Sequence, residues 1–255
     1  MLTEILKAED ILYTVDGFNL LIKHFSINKG EKTCLFGPNG SGKTTLARIL
    51  TGYLKPQKGL IHLYGKPLED WSHSERALKL TYCSFDPMLA ASGKKLFDFV
   101  RMGAHSSMHQ NTENEIRSLL ADFGLSGKEN QSIDTLSAGE LQKAIIVQTL
   151  LQRSRIIIFD EPTSHLDIYW QTAVLKKIFN HASDFQDAIV AILHDLNLAL
   201  NYFDRIICLA KRTIVYDFKF TDIQSRIKAA KKIGELYAVN VNVFQIKEKI
   251  FAVYF

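Results

Sequence analysis

Residues 37–44 read Gly37-Pro38-Asn39-Gly40-Ser41-Gly42-Lys43-Thr44, the pattern GxxxxGK[ST]. A strand-like run, 33–36, precedes it, and a helix-like run, 45–50, follows. Strand, glycine-rich loop and helix form the context in which this pattern cradles phosphate. The glycines let the backbone wrap closely around phosphate oxygens, so the amides of 39–45, Thr45 included, are expected to point inward. The helix start adds its positive end. The Lys43 ammonium is expected to reach the β- and γ-phosphates, and the Thr44 hydroxyl to ligate Mg²⁺. The chain is thereby constrained to an α/β fold that binds a nucleotide through its phosphates.

The remaining composition narrows the class by exclusion. In 255 residues, 47% apolar, 23% charged and 11% aromatic content is ordinary for a globular chain and excludes disorder, collagen and coiled-coil arrays. Lys+Arg exceeds Asp+Glu by 31 − 27 = 4. Nucleic-acid binders concentrate basic charge far more strongly, so no nucleic-acid partner is expected. Strictly apolar stretches such as 188–193 are far shorter than the roughly 18–20 residues of a membrane-spanning helix. No signal peptide is visible, which predicts a cytosolic location. Cys34, Cys83 and Cys208 are scattered through apolar, strand-like segments with no CxxC, and read as buried, reduced thiols.

Along the chain, runs 10–15, 20–27, 32–36 and 59–64 read as strands, with a turn at Asn28-Lys29-Gly30. The polar stretch 104–115, with His105, Met108 and His109, reads as a surface loop or helix start rather than a metal site, having no ligand spacing. Ile116, Leu119, Leu120 and Phe123 recur at helical spacing, and 144–151 reads as a buried helix. A basic patch in the tail, Arg226, Lys228, Lys231 and Lys232, reads as a solvated helix face.

Two runs, 156–159 and 188–193, are short, continuous and rich in isoleucine, as strands of a parallel sheet covered on both faces are. Ligands of such sheets bind at the carboxyl ends of strands. The first run ends in Asp160-Glu161. Asp160 is expected to hold Mg²⁺, directly or through water, and Glu161 to poise a water for in-line attack on the γ-phosphate. One metal carboxylate plus one base argues for hydrolysis, and nothing in the sequence suggests the acceptor pocket of a kinase.

Upstream of Asp160 stands Leu136-Ser137-Ala138-Gly139-Glu140. With the phosphate loop, it resembles the signature, typically LSGGQ, of the ATP-binding-cassette (ABC) family. Asp160-Glu161-Pro162-Thr163 looks like that family's Walker B end, Ser164-His165-Leu166-Asp167 is similar to its D-loop, and His194 occupies its switch-histidine position. The resemblance implies a P-loop NTPase fold: a RecA-like core sheet, antiparallel N-terminal strands and an inserted helical lobe. It implies one nucleotide-binding domain over 1–255, with a core lobe at about 1–86 and 154–220, a helical lobe at about 87–153 and a C-terminal helix and strand at 221–255. Two copies would pair head to tail and sandwich ATP. Ser137 and the Gly139 amide, with Glu140 beside them and Asp167 in the D-loop, would face the nucleotide of the other copy, and His194 the γ-phosphate of its own. Tyr13 lies near where the family keeps an adenine-stacking aromatic, and Phe18 competes for that role.

Two departures from the family pattern stand out. Ala138 replaces the first signature glycine and Glu140 the glutamine. No glutamine lies between residues 58 and 109, where the family places one at the end of a strand, and Asp86 stands at that point before Pro87. Asp86 is read either as an oxygen ligand for Mg²⁺ or as a residue capping its own turn.

A single cassette without membrane helices is typical of import systems. Leu193-His194-Asp195-Leu196-Asn197-Leu198-Ala199 and the tail Ile233-Gly234-Glu235-Leu236-Tyr237 look like segments of the importer ATPases for iron–siderophore complexes, haem and cobalamin, and related importers of metals such as zinc and manganese share parts of them. The resemblance therefore implies a peripheral subunit on the cytoplasmic face of the membrane. Its partners would be permease subunits and, indirectly, an extracytoplasmic solute-binding protein. The rival reading is a soluble cassette such as an iron–sulfur cluster assembly ATPase, and an exporter subunit is a third.

Overall fold

The computed structural model describes residues 3–86, 88, 93–104, 113–185 and 187–255, with backbone alone for 182–185. His105, Met108, His109 and Pro87 lie outside the described residues. The chain forms two compact units: Met1–Trp71 with Val190–Phe255, and Ser72–Ile189.

The first unit opens with a four-stranded antiparallel sheet of order β2-β1-β4-β5: β1 (Glu4–Val15), β2 (Phe18–Asn28), β4 (Lys58–Leu63) and β5 (Lys66–Pro67). The hairpin β1–β2 turns at Asp16-Gly17, both with φ in the left-handed region. β1 starts earlier than the apolar run at residue 10 implies. Its pairing with β4 slips between Glu9 and Leu12, where Asp10 has φ 51°, and Gly59 leaves room for that bulge.

β3 (Lys32–Phe36) runs parallel to β9 (Arg205–Ala210), and β10 (Thr213–Lys219) pairs antiparallel with β9. Arg205, almost fully buried, ties these layers together. Its guanidinium donates to Asp217 at 2.6 and 2.7 Å, to Glu31 at 3.0 Å and to the Ser26 carbonyl at 2.8 Å, which satisfies a charge that burial alone would make costly.

The rest of the first unit is α1 (Lys43–Leu50), α7 (Leu196–Tyr202), α8 (Ile223–Leu236) and a hairpin, β11 (Val241–Ile246) with β12 (Lys249–Tyr254). The tail expected as a helix and one strand is a helix and two. Its inner positions, Ile250 and Ala252, are buried against α7 and α8, while Phe244, Phe251 and Val253 stay exposed.

In the second unit, β6 (Leu80–Ser84) runs parallel to β7 (Ile156–Asp160) in a register that places Ser84 beside Asp160. Every residue of β7 is buried. Helices α2 (His73–Lys79), α3 (Leu96–Ala104), α4 (Glu113–Asp122), α5 (Ala138–Leu151) and α6 (Ile168–Phe185) complete the unit, with α5 packed on α3, α4 and α6. α5 begins six residues before the apolar run at 144, because Ser137 and Glu140 close a capping box there. β8 (Ala188–Ile192) carries the chain from one unit to the other. No helix among the described residues is long and apolar enough to cross a membrane.

Candidate functional site

The phosphate loop leaves β3 at Gly37 and enters α1 at Lys43. Gly37 has φ 143°, and a Cβ there would stand 2.0 Å from the Leu209 carbonyl oxygen, so only glycine lets the loop lie flat on β9. Gly42 caps α1 with φ 102°, and a Cβ there would strike Leu20 at 2.6 Å. Gly40, also at positive φ, faces open space. Pro38 is half-buried, and Asn39 and Gly40 are exposed, so the loop's tip is open while its base is closed.

Inside the loop, Lys43 is buried and its ammonium donates to the carbonyls of Gly37 at 2.7 Å and Pro38 at 3.0 Å. Ser41 Oγ is buried with no hydrogen-bond partner among the described residues. A buried hydroxyl without a partner and a buried cation resting on carbonyls fit an anion seated in the loop. Thr44 and Thr45 are half-buried at the start of α1.

His194 is exposed at the end of the chain segment leaving β8. Leu193 N–H donates to the Leu35 carbonyl at 3.3 Å, which fixes that segment to the strand feeding the loop. Asp195 then caps α7, its carboxylate accepting the Leu198 N–H at 2.9 Å. Gly37, Pro38, Asn39, His194, Leu196 and Tyr254 belong to the wall of one cavity of about 470 Å³.

Of the two aromatics read for adenine, Phe18 lies beside the loop at Gly42, with the Arg212 guanidinium 4.7 Å over its ring. Tyr13 sits half-buried on β1 opposite Leu20.

In the second unit, Asp160 ends β7. The Tyr82 hydroxyl donates to its Oδ2 at 2.6 Å and so fixes the carboxylate's orientation. Glu161 follows with φ 52°, in the left-handed region. Its Oε2 accepts the Ser164 hydroxyl at 2.9 Å. Asp167 caps α6, accepting the Trp170 N–H at 2.8 Å, and Trp170 is held between Gly124 and the Lys143 ammonium.

The signature segment is an exposed helix start. Ser137 Oγ accepts the Glu140 N–H, and Glu140 Oε2 accepts the Ser137 N–H at 2.9 Å. Lys128 pairs with Glu140 at 2.8 Å. Together with the Ser137 contacts, this pair holds the Glu140 carboxyl down at about 2. A Cβ on Gly139 would come 2.8 Å from the His165 carbonyl oxygen, so glycine lets the signature and D-loop backbones touch. Ala138 is exposed and starts the helix, where alanine costs nothing. Asp86 is exposed, and its Oδ1 accepts the Met88 N–H at 2.9 Å, closing a local turn.

The structure thus groups Gly37 to Thr45 with His194 in the first unit, and Asp160, Glu161, the signature and Asp167 in the second. Tyr82 and Ser164 are the polar neighbours of Asp160 and Glu161 that sequence reasoning missed. Ser164 stands three residues from Glu161 and could have been found as a turn partner. Tyr82 reaches Asp160 only through parallel register, for which the sequence carries no local signal.

A model of the ABC transporter family matches residues 22–164. The chain belongs to the ABC transporter family. The cassette is 32% identical to the petrobactin import ATP-binding protein FpuC of Bacillus anthracis, over 92% of this chain and 86% of that one. It is 30% identical to the hemin import ATP-binding protein HmuV of Escherichia coli O157:H7, over 94% of each. A solved ATP-binding subunit of an ABC transporter superposes with a TM-score of 0.78 at 26% identity, over 92% of this cassette and 98% of that chain. The α/β fold with parallel pairs and antiparallel N-terminal strands is the fold of these cassettes. The three cysteines of the cassette are free and buried, with burial pushing Cys83 and Cys208 up to about 12 and Cys34 well above its ordinary value.

Proposed function

We propose that this chain is the ATP-hydrolysing subunit of an ABC importer whose cargo is an iron–siderophore or haem complex. The observation that carries the reading is the near full-length match to petrobactin and hemin import ATP-binding proteins. It favours an importer over a soluble iron–sulfur assembly ATPase or an exporter subunit.

On this reading, 1–255 is one nucleotide-binding domain and each residue group has a task. The loop amides, Ser41 Oγ and Lys43 take the ATP phosphates, with Lys43 exchanging its two carbonyls for phosphate oxygens. Tyr13 or Phe18 stacks on adenine. Thr44 and Asp160 offer the hydroxyl and carboxylate oxygens that suit Mg²⁺, and Asp86 is left to its turn. Bound Mg²⁺ offsets the charge that develops on the phosphoryl oxygens. Glu161 accepts the proton of the attacking water, in the orientation set by Ser164. His194 reports the γ-phosphate.

Ser137 and Gly139, at the exposed start of α5, present main-chain N–H groups to the nucleotide of a second copy, an anion at a helix N-terminus. The Lys128 pair offsets the Glu140 charge that would otherwise face phosphate, and Asp167 fixes the D-loop by capping α6. The cassette works as a dimer at the cytoplasmic face of the membrane, bound to permease subunits that receive cargo from an extracytoplasmic binding protein.

The test is steady-state ATP turnover by the purified chain, together with co-purification of a co-expressed permease from membranes. Lys43→Ala is expected to lower kcat/KM by about a hundredfold or more, as removal of one charge contact to the transition state does. Glu161→Gln is expected to stop turnover and trap an ATP-bound dimer on size exclusion. Unchanged turnover in both variants would overturn the ATPase reading. A permease-free, fully soluble complex would overturn the importer reading.

A further inference from the structure

β12 has two edges. One pairs with β11; at the other, Ile250 and Ala252 turn their N–H and C=O groups toward α7. An open strand edge needs cover. Here the cover is not a strand but two asparagine side chains one helical turn apart. Asn197 Oδ1 accepts the Ala252 N–H at 2.7 Å, and its Nδ2 donates to the Ala252 carbonyl at 3.2 Å. Asn201 repeats the arrangement with Ile250, at 2.9 and 2.7 Å. Each amide offers one donor and one acceptor, as a backbone residue does, so the pair imitates two rungs of a β-ladder. Beside this ladder, the Tyr254 phenol, a side-chain group, faces the Leu196 N–H at the start of α7. Asn197 and Asn201 on the helix thus meet Ala252 and Ile250 on the strand.

α7 begins two residues after His194, with Asp195 as its cap. On the other side of His194, Leu193 is bonded to Leu35, whose strand runs into the phosphate loop. His194 therefore sits between two anchors, one on β3 and one on the C-terminal hairpin. Tyr254, His194 and the loop residues Gly37 to Asn39 share a single cavity, so movement of the hairpin edge changes the surroundings of both. Asn197 and Asn201 are half-buried on a helix that also buries Leu196, Leu198, Ala199 and Leu200, so their grip on β12 fixes where the whole helix sits.

We propose that Asn197 and Asn201 are positioning residues for His194: by gripping β12 they hold α7, and the histidine at its head, in register with the phosphate loop. The inference rests on the role given to His194 above. It makes the C-terminal hairpin a part of the nucleotide-sensing apparatus rather than an appendage.

The test uses the full chain with five variants: Asn197→Ala, Asn201→Ala, the double variant, Tyr254→Phe and His194→Ala. Turnover is measured against ATP concentration, and amide exchange is read at Ile250 and Ala252. The double variant is expected to exchange faster at both amides and to lose about tenfold in kcat with KM for ATP little changed, since the loop that binds ATP is intact. Each single variant should fall between it and the parent. Tyr254→Phe, which keeps the ring and the packing, should lose about twofold and guards against misfolding of the amide variants. Faster exchange with unchanged kcat would overturn the inference, the ladder then being a tether only. A parallel rise in KM would also overturn it, because the loop itself would have been disturbed. Unchanged turnover in His194→Ala would overturn the sensing role and the inference with it, whereas a loss in His194→Ala alone would overturn the inference and leave that role standing.

Discussion

The Ser164 hydroxyl donates to Glu161 Oε2 at 2.9 Å, across a turn that the Ser164 N–H closes on the Glu161 carbonyl at 3.1 Å. Glu161 holds φ 52°, a conformation that costs a side-chain-bearing residue about 1 kcal/mol. Backbone and side chain are thus both committed to one orientation of this carboxylate. Ser164→Ala is expected to lower kcat by about threefold to tenfold with KM for ATP unchanged, on the scale of an ordinary net hydrogen bond of about 0.5–1.5 kcal/mol. Ser164→Thr, which keeps the hydroxyl, should retain most of the parent rate. Equal rates in all three proteins would show that Glu161 needs no such support.

Tyr82 bears the same relation to Asp160, at 2.6 Å. Tyr82→Phe keeps the ring and removes the hydroxyl. The carboxylate loses a hydrogen bond that orients it, so half-maximal turnover is expected to need about tenfold more Mg²⁺ or above, the hydrogen bond being worth about 1.5–3 kcal/mol. Superimposable Mg²⁺ titrations of parent and variant would refute this.

Glu140 titrates at about 2 in the folded chain, against an ordinary 4.5. A carboxyl lowered by folding contributes stability that is complete above about 4.5 and lost as pH falls toward about 2. Glu140→Gln keeps the capping box, because an amide oxygen can also accept the Ser137 N–H, but loses the Lys128 pair. The variant should therefore be less stable than the parent by about 0.2–1 kcal/mol near neutrality, and the gap should close on acidification. Urea midpoints of the two proteins at stepped pH measure it. A gap that stays constant below about 4.5 would contradict the ion pair.

Gln142, one turn into α5, is fully buried, and neither atom of its amide has a partner among the described residues. An unpaired buried amide costs about 1–3 kcal/mol. Gln142→Met, close in shape, is expected to stabilise the chain by about 1 kcal/mol in urea unfolding. A loss of stability would mean that the amide is satisfied when the protein is in solution.

The parts of the site that the sequence announces are those whose chemistry is local. Gly37 to Thr44 is contiguous and so readable as one pattern, although what demands glycine at Gly37 and Gly42 is Leu209 and Leu20, both remote in sequence. β7 is legible from 156–159 because burial on both faces demands an unbroken apolar run. The partners of Asp160 and the hairpin edge are set by register instead. Tyr82 meets Asp160 because β6 pairs in parallel with a strand far along the chain, and Asn197 meets Ala252 across 55 residues. Neither separation leaves a periodic trace. The start of α5 is an intermediate case, since Ser137 and Glu140 form a readable capping box that the stronger apolar signal from Ala144 onward obscured.

Burial of the cysteines turns this protein into its own recorder. Burial pushes the Cys83 and Cys208 thiols up to about 12 and closes them to solvent, so the folded chain presents far less reactive thiolate at mildly alkaline pH than an unfolded chain does. A thiol-reactive probe therefore reads only molecules that have opened. Cys34 and Cys208 lie in the first unit and Cys83 in the second. Digestion after labelling then clocks the opening of each unit separately, with no residue changed.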